Sequence, residues 1–257
     1  MIAIASRFQT TKTMKPKTIA LAAFALAGSA SASTLLLSDN FVTSAGSGAV
    51  FNNDLPTRQS GSLATVSYTV SDTDFHVYSD GAMGLNFQGG GWGGAWASLN
   101  RNFATDANAA DSPLEIQFDM WADSAPGGDA WVGFGLGSTQ GDYFFNYPYG
   151  FLARQSSGQH NYKVVIADTA GTGSGFNGIT NGASVEFFID GVSQGITAHT
   201  FATDGGYITF RSIAAGWGGA GSWGIGHVDN LSVSLVPEPS AALLGGLGML
   251  AFLRRRR

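Results

Sequence analysis

The sequence predicts an all-β domain, a two-sheet antiparallel sandwich. Three observations predict it: apolar and polar residues alternate over short runs, turn sequences separate the runs, and no 3.6-residue period is sustained between residues 33 and 235. The chain of 257 residues also contains 37 glycines, which suit tight turns. About a dozen short strands in one chain of this size favour two packed sheets.

The clearest strand covers residues 114–120, where polar residues alternate with Leu114, Ile116, Phe118 and Met120. Side chains of a strand point alternately to its two faces, so these four residues are predicted to line the core. Similar patterns predict strands at 162–166, 185–189 and 231–235, and further ones at 63–70, 75–78, 83–87, 131–136, 143–147 and 207–211.

Turn chemistry separates these strands, because Gly after Asp readily adopts the positive φ of a hairpin turn. One such turn is interpreted against a competing motif. Residues 191–195 match the pattern Gly-x-Ser-x-Gly, but an esterase elbow joins a strand to a helix, whereas this segment follows a strand and a turn. It is therefore interpreted as a hairpin. The predicted turns are Asp80-Gly81, Pro126-Gly127-Gly128, Asp190-Gly191 and Asp204-Gly205-Gly206.

The N-terminus has the features of a secretory signal peptide. Lys12, Lys15 and Lys17 precede an apolar stretch at residues 19–28, and the small residues Ala30-Ser31-Ala32 follow. This order predicts cleavage after Ala32, so that residues 1–32 are removed. The long basic region leaves Met1 and Met14 as alternative initiators.

The C-terminal residues 236–257 form a tail of three parts. Val236 leads into Pro237-Glu238-Pro239, 13 residues from Ala241 to Leu253 are apolar or glycine, and four arginines end the chain, Arg254, Arg255, Arg256 and Arg257. Thirteen helical residues rise about 20 Å, whereas a hydrocarbon core is about 30 Å thick. The tail is therefore predicted to be a short, temporary transmembrane helix with a cytoplasmic basic stop; the alternative is a permanent, distorted span.

This tail resembles that of PEP-CTERM proteins, over less than a tenth of the chain. The resemblance implies recognition by a bacterial exosortase, which processes the chain near Val236, Pro237, Glu238 and Pro239 after signal peptidase has acted. It also implies export across the inner membrane, transient membrane anchoring, and then a place at the cell surface or in the extracellular matrix.

Composition limits what the region between residues 33 and 236 can do. It contains 17 acidic and five basic side chains, a net charge of −12, and the chain has no cysteine. The acidic surface argues against nucleic acid as a partner. Without disulfides, stability has to come from one buried apolar core.

The middle region, residues 33–235, resembles concanavalin A-like lectin and glucanase jelly rolls. The resemblance implies that the terminal strands pair and that a strand ending in Asp-Gly forms a hairpin. The segments that carry it are Ser38-Asp39-Asn40-Phe41, Phe187-Phe188-Ile189-Asp190-Gly191 and His227-Val228-Asp229-Asn230-Leu231-Ser232-Val233.

Four of the six tryptophans lie in two similar Gly-Trp segments, about residues 91–96 and 216–223. Glycines beside an indole leave its face open, and open aromatic faces near polar groups are what a sugar-binding platform requires. The alternative is that these side chains belong to the core. The candidate carbohydrate-binding residues are Trp92, Trp96, Trp217 and Trp223.

Catalysis is not expected. Glycoside hydrolysis needs two carboxyl groups about 5–9.5 Å apart. Glu115 and Asp119 share one strand face but are separated by about 13 Å along it, and Glu186 and Asp190 have the same spacing. Pairs from different strands remain open as an alternative.

Calcium is the metal that the sequence favours. The four histidines show no zinc-ligand spacing. If the terminal strands pair, Asp39 and Asn40 approach Asp229 and Asn230, which offer hard oxygen ligands. The alternative is that these residues only shape turns.

The sequence thus predicts an exported, non-catalytic β-sandwich that binds polysaccharide. The alternatives are a purely structural matrix protein and a glycoside hydrolase.

Overall fold

The computed structural model describes ten stretches of the chain. Within them, no helix combines the length and the apolar character needed to cross a membrane. The predicted signal peptide, the predicted strand at 143–147 and the tail beyond Val236 lie outside the described residues. The ten stretches are residues 33–41, 66–70, 76–80, 84–89, 95–123, 129–137, 151–154, 158–171, 173–215 and 224–236.

Thirteen strands form two antiparallel sheets in the described residues. The predicted two-sheet antiparallel sandwich is therefore confirmed. The strands are β1 (Thr34–Asp39), β2 (Tyr68–Val70), β3 (His76–Asp80), β4 (Gly84–Gly89), β5 (Ala95–Asn102), β6 (Leu114–Asp123), β7 (Asp129–Gly137), β8 (Phe151–Arg154), β9 (His160–Asp168), β10 (Ala183–Ile189), β11 (Val192–His199), β12 (Tyr207–Ala215) and β13 (Gly224–Leu235).

The larger sheet has eight strands, seven of them in the order β11-β10-β9-β6-β13-β4-β3, with β1 pairing with β13. The smaller sheet has the order β2-β5-β12-β7-β8. The first and last strands pair, as the jelly-roll resemblance implies, with Asp39 opposite Leu231. Asp190-Gly191 forms the predicted hairpin turn between β10 and β11, and both residues have positive φ (50° and 77°).

The chain passes from one sheet to the other repeatedly, which is the connectivity of a jelly roll. The links β4–β5, β6–β7, β8–β9 and β12–β13 join the sheets at one end of the sandwich, since Gly89 pairs with Gly224 and Asp123 with Ile225. We call this the crossover end. We call the opposite end, where β13 finishes, the helix end.

The core lies between the sheets and is built by strand alternation. Leu114, Ile116, Phe118 and Met120 of β6 are all fully buried, as predicted. Phe118 meets the smaller sheet through Phe134 and Phe210, with ring centroids 4.8 and 5.1 Å away. At the centre of the core, the two sheets therefore contact each other through aromatic rings.

One helix, α1 (Phe103–Ala110), links β5 to β6. The side chain of Asn102 accepts a hydrogen bond from the backbone of Ala104, and Asp111 ends the helix in the left-handed conformation with φ 48°. Eight residues are about two turns, too few to display a helical period, so the pattern analysis does not predict it.

Candidate functional site

The outer face of the larger sheet carries a row of polar side chains. Along β6 the buried residues alternate with Glu115, Gln117, Asp119 and Trp121, which are half-buried. Because β6 lies in the middle of the sheet, each of these side chains has neighbours on strands to either side. The sheet can therefore assemble groups that are distant in the sequence.

Four of these outer-face residues form what we call the carboxamide network: Gln117, Asp119, Asn161 and Asn230. Gln117 Nε2 donates to Asn161 Oδ1 at 3.0 Å, and Asn161 Nδ2 donates to Asp119 Oδ1 at 2.8 Å. Asn230 Nδ2 donates to Asp119 Oδ2 at 2.8 Å. Each carboxamide has two N–H donors and one acceptor oxygen, so the network retains groups that can bond a polar ligand.

Strand register explains the network. Asn161 of β9 lies directly opposite Asp119 of β6, and Asp229 of β13 lies opposite Asp119 on the other side. The pairing of β13 with β6 is irregular between Asp229 and Ser232, where Asn230 has a φ of 51°. This bulge turns the Asn230 side chain toward Asp119.

An aromatic residue adjoins the network. Trp121 lies two residues beyond Asp119 on the same face of β6, and its ring stacks on His227 with centroids 4.8 Å apart and planes at 15°. His227 is fully buried, whereas Trp121 stays half-buried. An indole beside carboxamide and carboxylate groups combines apolar stacking with placed hydrogen bonds, which suits a sugar ring.

The predicted calcium residues are brought to one region but bond mainly to the protein. Asp39 is 7% exposed; its Oδ1 accepts from the backbone of Phe41 at 2.8 Å and its Oδ2 accepts from the Tyr68 hydroxyl at 3.0 Å. Asn40 is exposed beside it. Among the described residues, no group of three or more His, Asp or Glu side chains is arranged to hold a metal ion.

Carboxylates nevertheless repel one another in this region. Burial raises the pKa of Asp229, the negative charges of Asp119 and Asp39 raise it further, and the backbone N–H of Asn230 opposes them. Asp119 and Asp39 therefore lie close enough to Asp229 for each to disfavour its ionisation.

We expect Asp229→Asn to stabilise the fold at neutral pH by less than about 1 kcal/mol, since the group is only partly buried. A carboxyl whose folded pKa is raised favours the native state below its unfolded pKa, and this benefit is lost as the pH rises through the folded pKa. Urea unfolding at neutral and acid pH measures the effect, which should vanish at acid pH.

Asp190→Asn is the matched control with the opposite sign. A hydrogen bond from His160, whose Nδ1 lies 2.6 Å from Asp190 Oδ2, lowers the pKa of Asp190, helped by the backbone N–H of Asn161. Its contribution is present above the unfolded pKa and is lost as the pH falls through the folded pKa. The expectation fails if both variants shift stability in the same direction at neutral pH.

Of the four predicted platform tryptophans, only Trp96 is described. It lies half-buried in β5 opposite Arg211 of β12, whose pKa is lowered by burial. Trp92, Trp217 and Trp223 lie outside the described residues. However, β5 begins and β12 ends at the crossover end, with Ala95 opposite Ser212, so both Gly-Trp segments are attached to the same end of two neighbouring strands.

Two carboxylates considered for the hydrolase alternative, Glu115 and Glu186, lie on the outer face as well. Glu115 and Glu186 both lie opposite Val165, so one strand separates them and their backbones are about 9.6 Å apart. Glu115 is 3.6 Å from Lys163 Nζ, and Glu186 accepts a 2.7 Å hydrogen bond from Ser193. The Ser193 hydroxyl is thus bonded to a carboxylate within a hairpin, and the hairpin interpretation of this segment is confirmed.

No protein-family model and no curated protein matches the chain. The chain is similar to the Emp46p carbohydrate recognition domain in its metal-free form, with 10% identity, a TM-score of 0.39, and coverage of 65% of this chain and 87% of that one. It is similar to a carbohydrate esterase from Shiga toxin-encoding bacteriophage phi24B, with 13% identity, a TM-score of 0.40, and coverage of 80% and 100%.

A third similarity is to a structure of botulinum neurotoxin type C, whose cell entry is dependent upon interaction with two ganglioside molecules. The identity is 9%, the TM-score 0.41, and the coverage 82% of this chain and 50% of that one. The chain spans about half the length of two botulinum neurotoxin structures that it matches and 16% of the length of a sialidase. All of these TM-scores are below 0.5.

Proposed function

We propose that this chain is an exported, non-catalytic protein that binds polysaccharide at the crossover end of its sandwich. The observation that carries the proposal is the position of Trp121 beside the carboxamide network. Sugar rings offer apolar faces for stacking and hydroxyl groups that both donate and accept hydrogen bonds. An indole next to carboxamide oxygens and N–H groups complements both features.

The attachment of the two Gly-Trp segments supports the same end of the molecule. Trp121 lies two residues before the end of β6, and the link carrying Trp217 and Trp223 leads directly into β13, in which His227 faces Trp121. Trp92 lies in the link between β4 and β5. We therefore assign Trp92, Trp217 and Trp223 to one extended platform with Trp121. Trp96 lies on the outer face of the smaller sheet, since its neighbour Ala97 faces the core opposite Phe210, and it would extend the site around this end of the sandwich.

The proposal includes sorting by the PEP-CTERM tail. Signal peptidase would cut after Ala32, and an exosortase-type enzyme would process the chain near Pro237-Glu238-Pro239, leaving the protein at the cell surface or in the extracellular matrix. β13 finishes at the helix end, about 26 Å along the strand from His227. The chain therefore leaves the sandwich toward the tail at the end opposite the proposed sugar site.

Affinity for polysaccharide should fall about tenfold or more in Trp121→Ala, Trp92→Ala and Trp217→Ala. Truncating an aromatic hot-spot residue costs about 2 kcal/mol or more of binding free energy, and about 1.4 kcal/mol already corresponds to a tenfold loss. Binding of residues 33–236 to a glycan array and retention on polysaccharide gels measure it. Tyr207→Ala is the matched control, since Tyr207 is a half-buried aromatic residue at the helix end of β12. Equal losses in the control, or none in the tryptophan variants, contradict the platform.

Calcium at Asp39, Asn40, Asp229 and Asn230 is part of the proposal. A divalent cation would relieve the repulsion that raises the pKa of Asp229, and carboxylate and carboxamide oxygens are its preferred ligands. The glycan array is therefore run with and without calcium. Unchanged binding and unchanged thermal stability on addition of calcium would remove the metal from the proposal.

The same samples separate the alternatives. A purely structural matrix protein would show no sugar affinity but would be incorporated into extracellular material. A hydrolase would release reducing ends from glucans, and Glu115→Gln or Glu186→Gln would abolish the release. The observation that keeps hydrolysis as the second candidate is that Glu115 and Glu186 come from different strands and lie one strand apart on the same outer face.

A further inference from the structure

The last strand is held on both sides up to the residue before the processing motif. Leu235 of β13 lies between Leu114 of β6 and Thr34 of β1. Beyond the strand, the backbone N–H of Val236 donates to the carbonyl oxygen of Pro113 at 2.9 Å. The fold therefore restrains the chain through Val236, and the motif Pro237-Glu238-Pro239 begins at the next residue.

The partner of this strand end is the start of the folded chain. β1 begins at Thr34, two residues after Ala32, and Thr34 pairs with Leu235. The expected signal-peptide cut and the expected tail cut thus flank a single strand pair.

We propose that the completed β1–β13–β6 pairing sets the position of the tail cut by shielding the chain through Val236, so that processing occurs only C-terminal to it. The inference rests on the proposed sorting of the tail. In the cut, a peptide C–N bond after Val236 breaks, water supplies OH to the carbonyl carbon and H to the departing amine, and the tail leaves.

The shielding has a physical basis. A protease binds its substrate as extended backbone, so a cut within β13 needs the strand to leave both neighbours. Each backbone hydrogen bond contributes about 0.5–1.5 kcal/mol, and Leu235 also packs against the core. A cut inside β13 therefore requires local unfolding of the central part of the larger sheet.

The pairing of β1 with the end of β13 forms late. β1 and β13 are separated by almost the whole domain in sequence, so this pairing forms only after the complete domain has crossed the membrane. Until then the C-terminal half of β13 is paired with β6 alone, because β4 pairs only with residues 224–228. The pairing therefore couples the completion of folding to the position of the cut.

Digestion of the full chain in detergent micelles with proteinase K tests the shield without any sorting enzyme. Mass spectrometry of the fragment containing β13 should give a C-terminal residue at Val236 or beyond. In Thr34→Pro/Leu35→Pro, which removes β1 hydrogen bonds from the end of β13, the boundary should move back to Val233, Ser234 or Leu235. Ile196→Pro in the outer strand β11 is the matched control and should leave the boundary unmoved.

Amide hydrogen exchange of the unaltered protein gives a second measurement that does not depend on how the proline variants fold. The amides of Leu235 and Val236 should be protected. Rapid exchange at both, or a digestion boundary within β13 of the unaltered chain, overturns the inference.

The mass of the exported protein separates this inference from the sorting proposal. A C-terminus at Val236 or beyond supports both. A C-terminus within β13 overturns the inference while leaving tail processing in place. An intact tail on exported protein overturns the sorting proposal and with it the stated role of the shield, even when the digestion boundary lies at Val236.

Discussion

Phe118→Ala should destabilise the domain by about 3–5 kcal/mol, the usual cost of removing a fully buried phenylalanine ring. Phe118 is fully buried and is the ring through which β6 contacts the smaller sheet. Its centroid lies 4.8 Å from Phe134, 5.1 Å from Phe210 and 5.8 Å from Tyr162. The truncation would leave a cavity at the junction of both sheets, where neighbouring strands cannot close in without losing their own pairing.

Urea unfolding followed by circular dichroism measures this loss as a lower midpoint at unchanged slope. Phe188→Ala is the matched control, because Phe188 lies half-buried on the outer face with Lys163 Nζ 4.4 Å above its ring. We expect it to cost about 1 kcal/mol, mostly from the cation–π contact and partial burial. Equal losses in the two variants would mean that the sheets are not held together at Phe118.

The strands that line the core are predictable because burial on one face leaves a period of two in the sequence. Residues 114–120 of β6 show this most clearly, with each apolar residue buried and each polar one on the outer face. β11 lacks such a signal, since it lies at the edge of the sheet and most of its residues are exposed. Val192 and Ile196 are 63% and 65% exposed there, so hydrophobicity does not report burial in this strand.

The candidate site is much less predictable than the fold. Gln117 and Asn161 are 44 residues apart, and Asp119 and Asn230 are 111 apart, so only the register of β6, β9 and β13 brings them together. Asn230 also depends on a bulge that has no distinct sequence signature here. The terminal-strand pairing predicted from the resemblance places Asp229 correctly but does not reveal Asp119 as its neighbour.

Trp121 is not among the site residues predicted from the sequence, although the strand pattern does predict which way its side chain faces. The alternation at residues 114–120 continues for one more step, which assigns Trp121 to the same outward face as Asp119. A large aromatic residue predicted to face outward, next to a carboxylate on the same strand face, is a sound candidate for ligand contact.

Gly206→Ala should be the second severe substitution, with an expected loss of about 2–5 kcal/mol from overpacking and a broken helix cap. A Cβ on Gly206 would overlap the backbone nitrogen of Ala104 and lie 2.6 Å from Asn102 Oδ1. The same Asn102 oxygen accepts from Gly206 N at 3.0 Å and from Ala104 N at 3.2 Å. Because backbone atoms cannot rotate away, either α1 or the start of β12 must move.

Gly205→Ala is the control, one residue away in the same loop. Its Cβ would meet Ala202 O at 3.1 Å and Ala202 N at 3.3 Å, contacts that a shift of a few tenths of an ångström relieves. Thermal unfolding of both variants is the measurement, and a domain of this size should lose about 2–4 °C for each kcal/mol. Similar melting temperatures for the two variants would show that α1 tolerates displacement, and that the Asn102 cap does not fix the helix against β12.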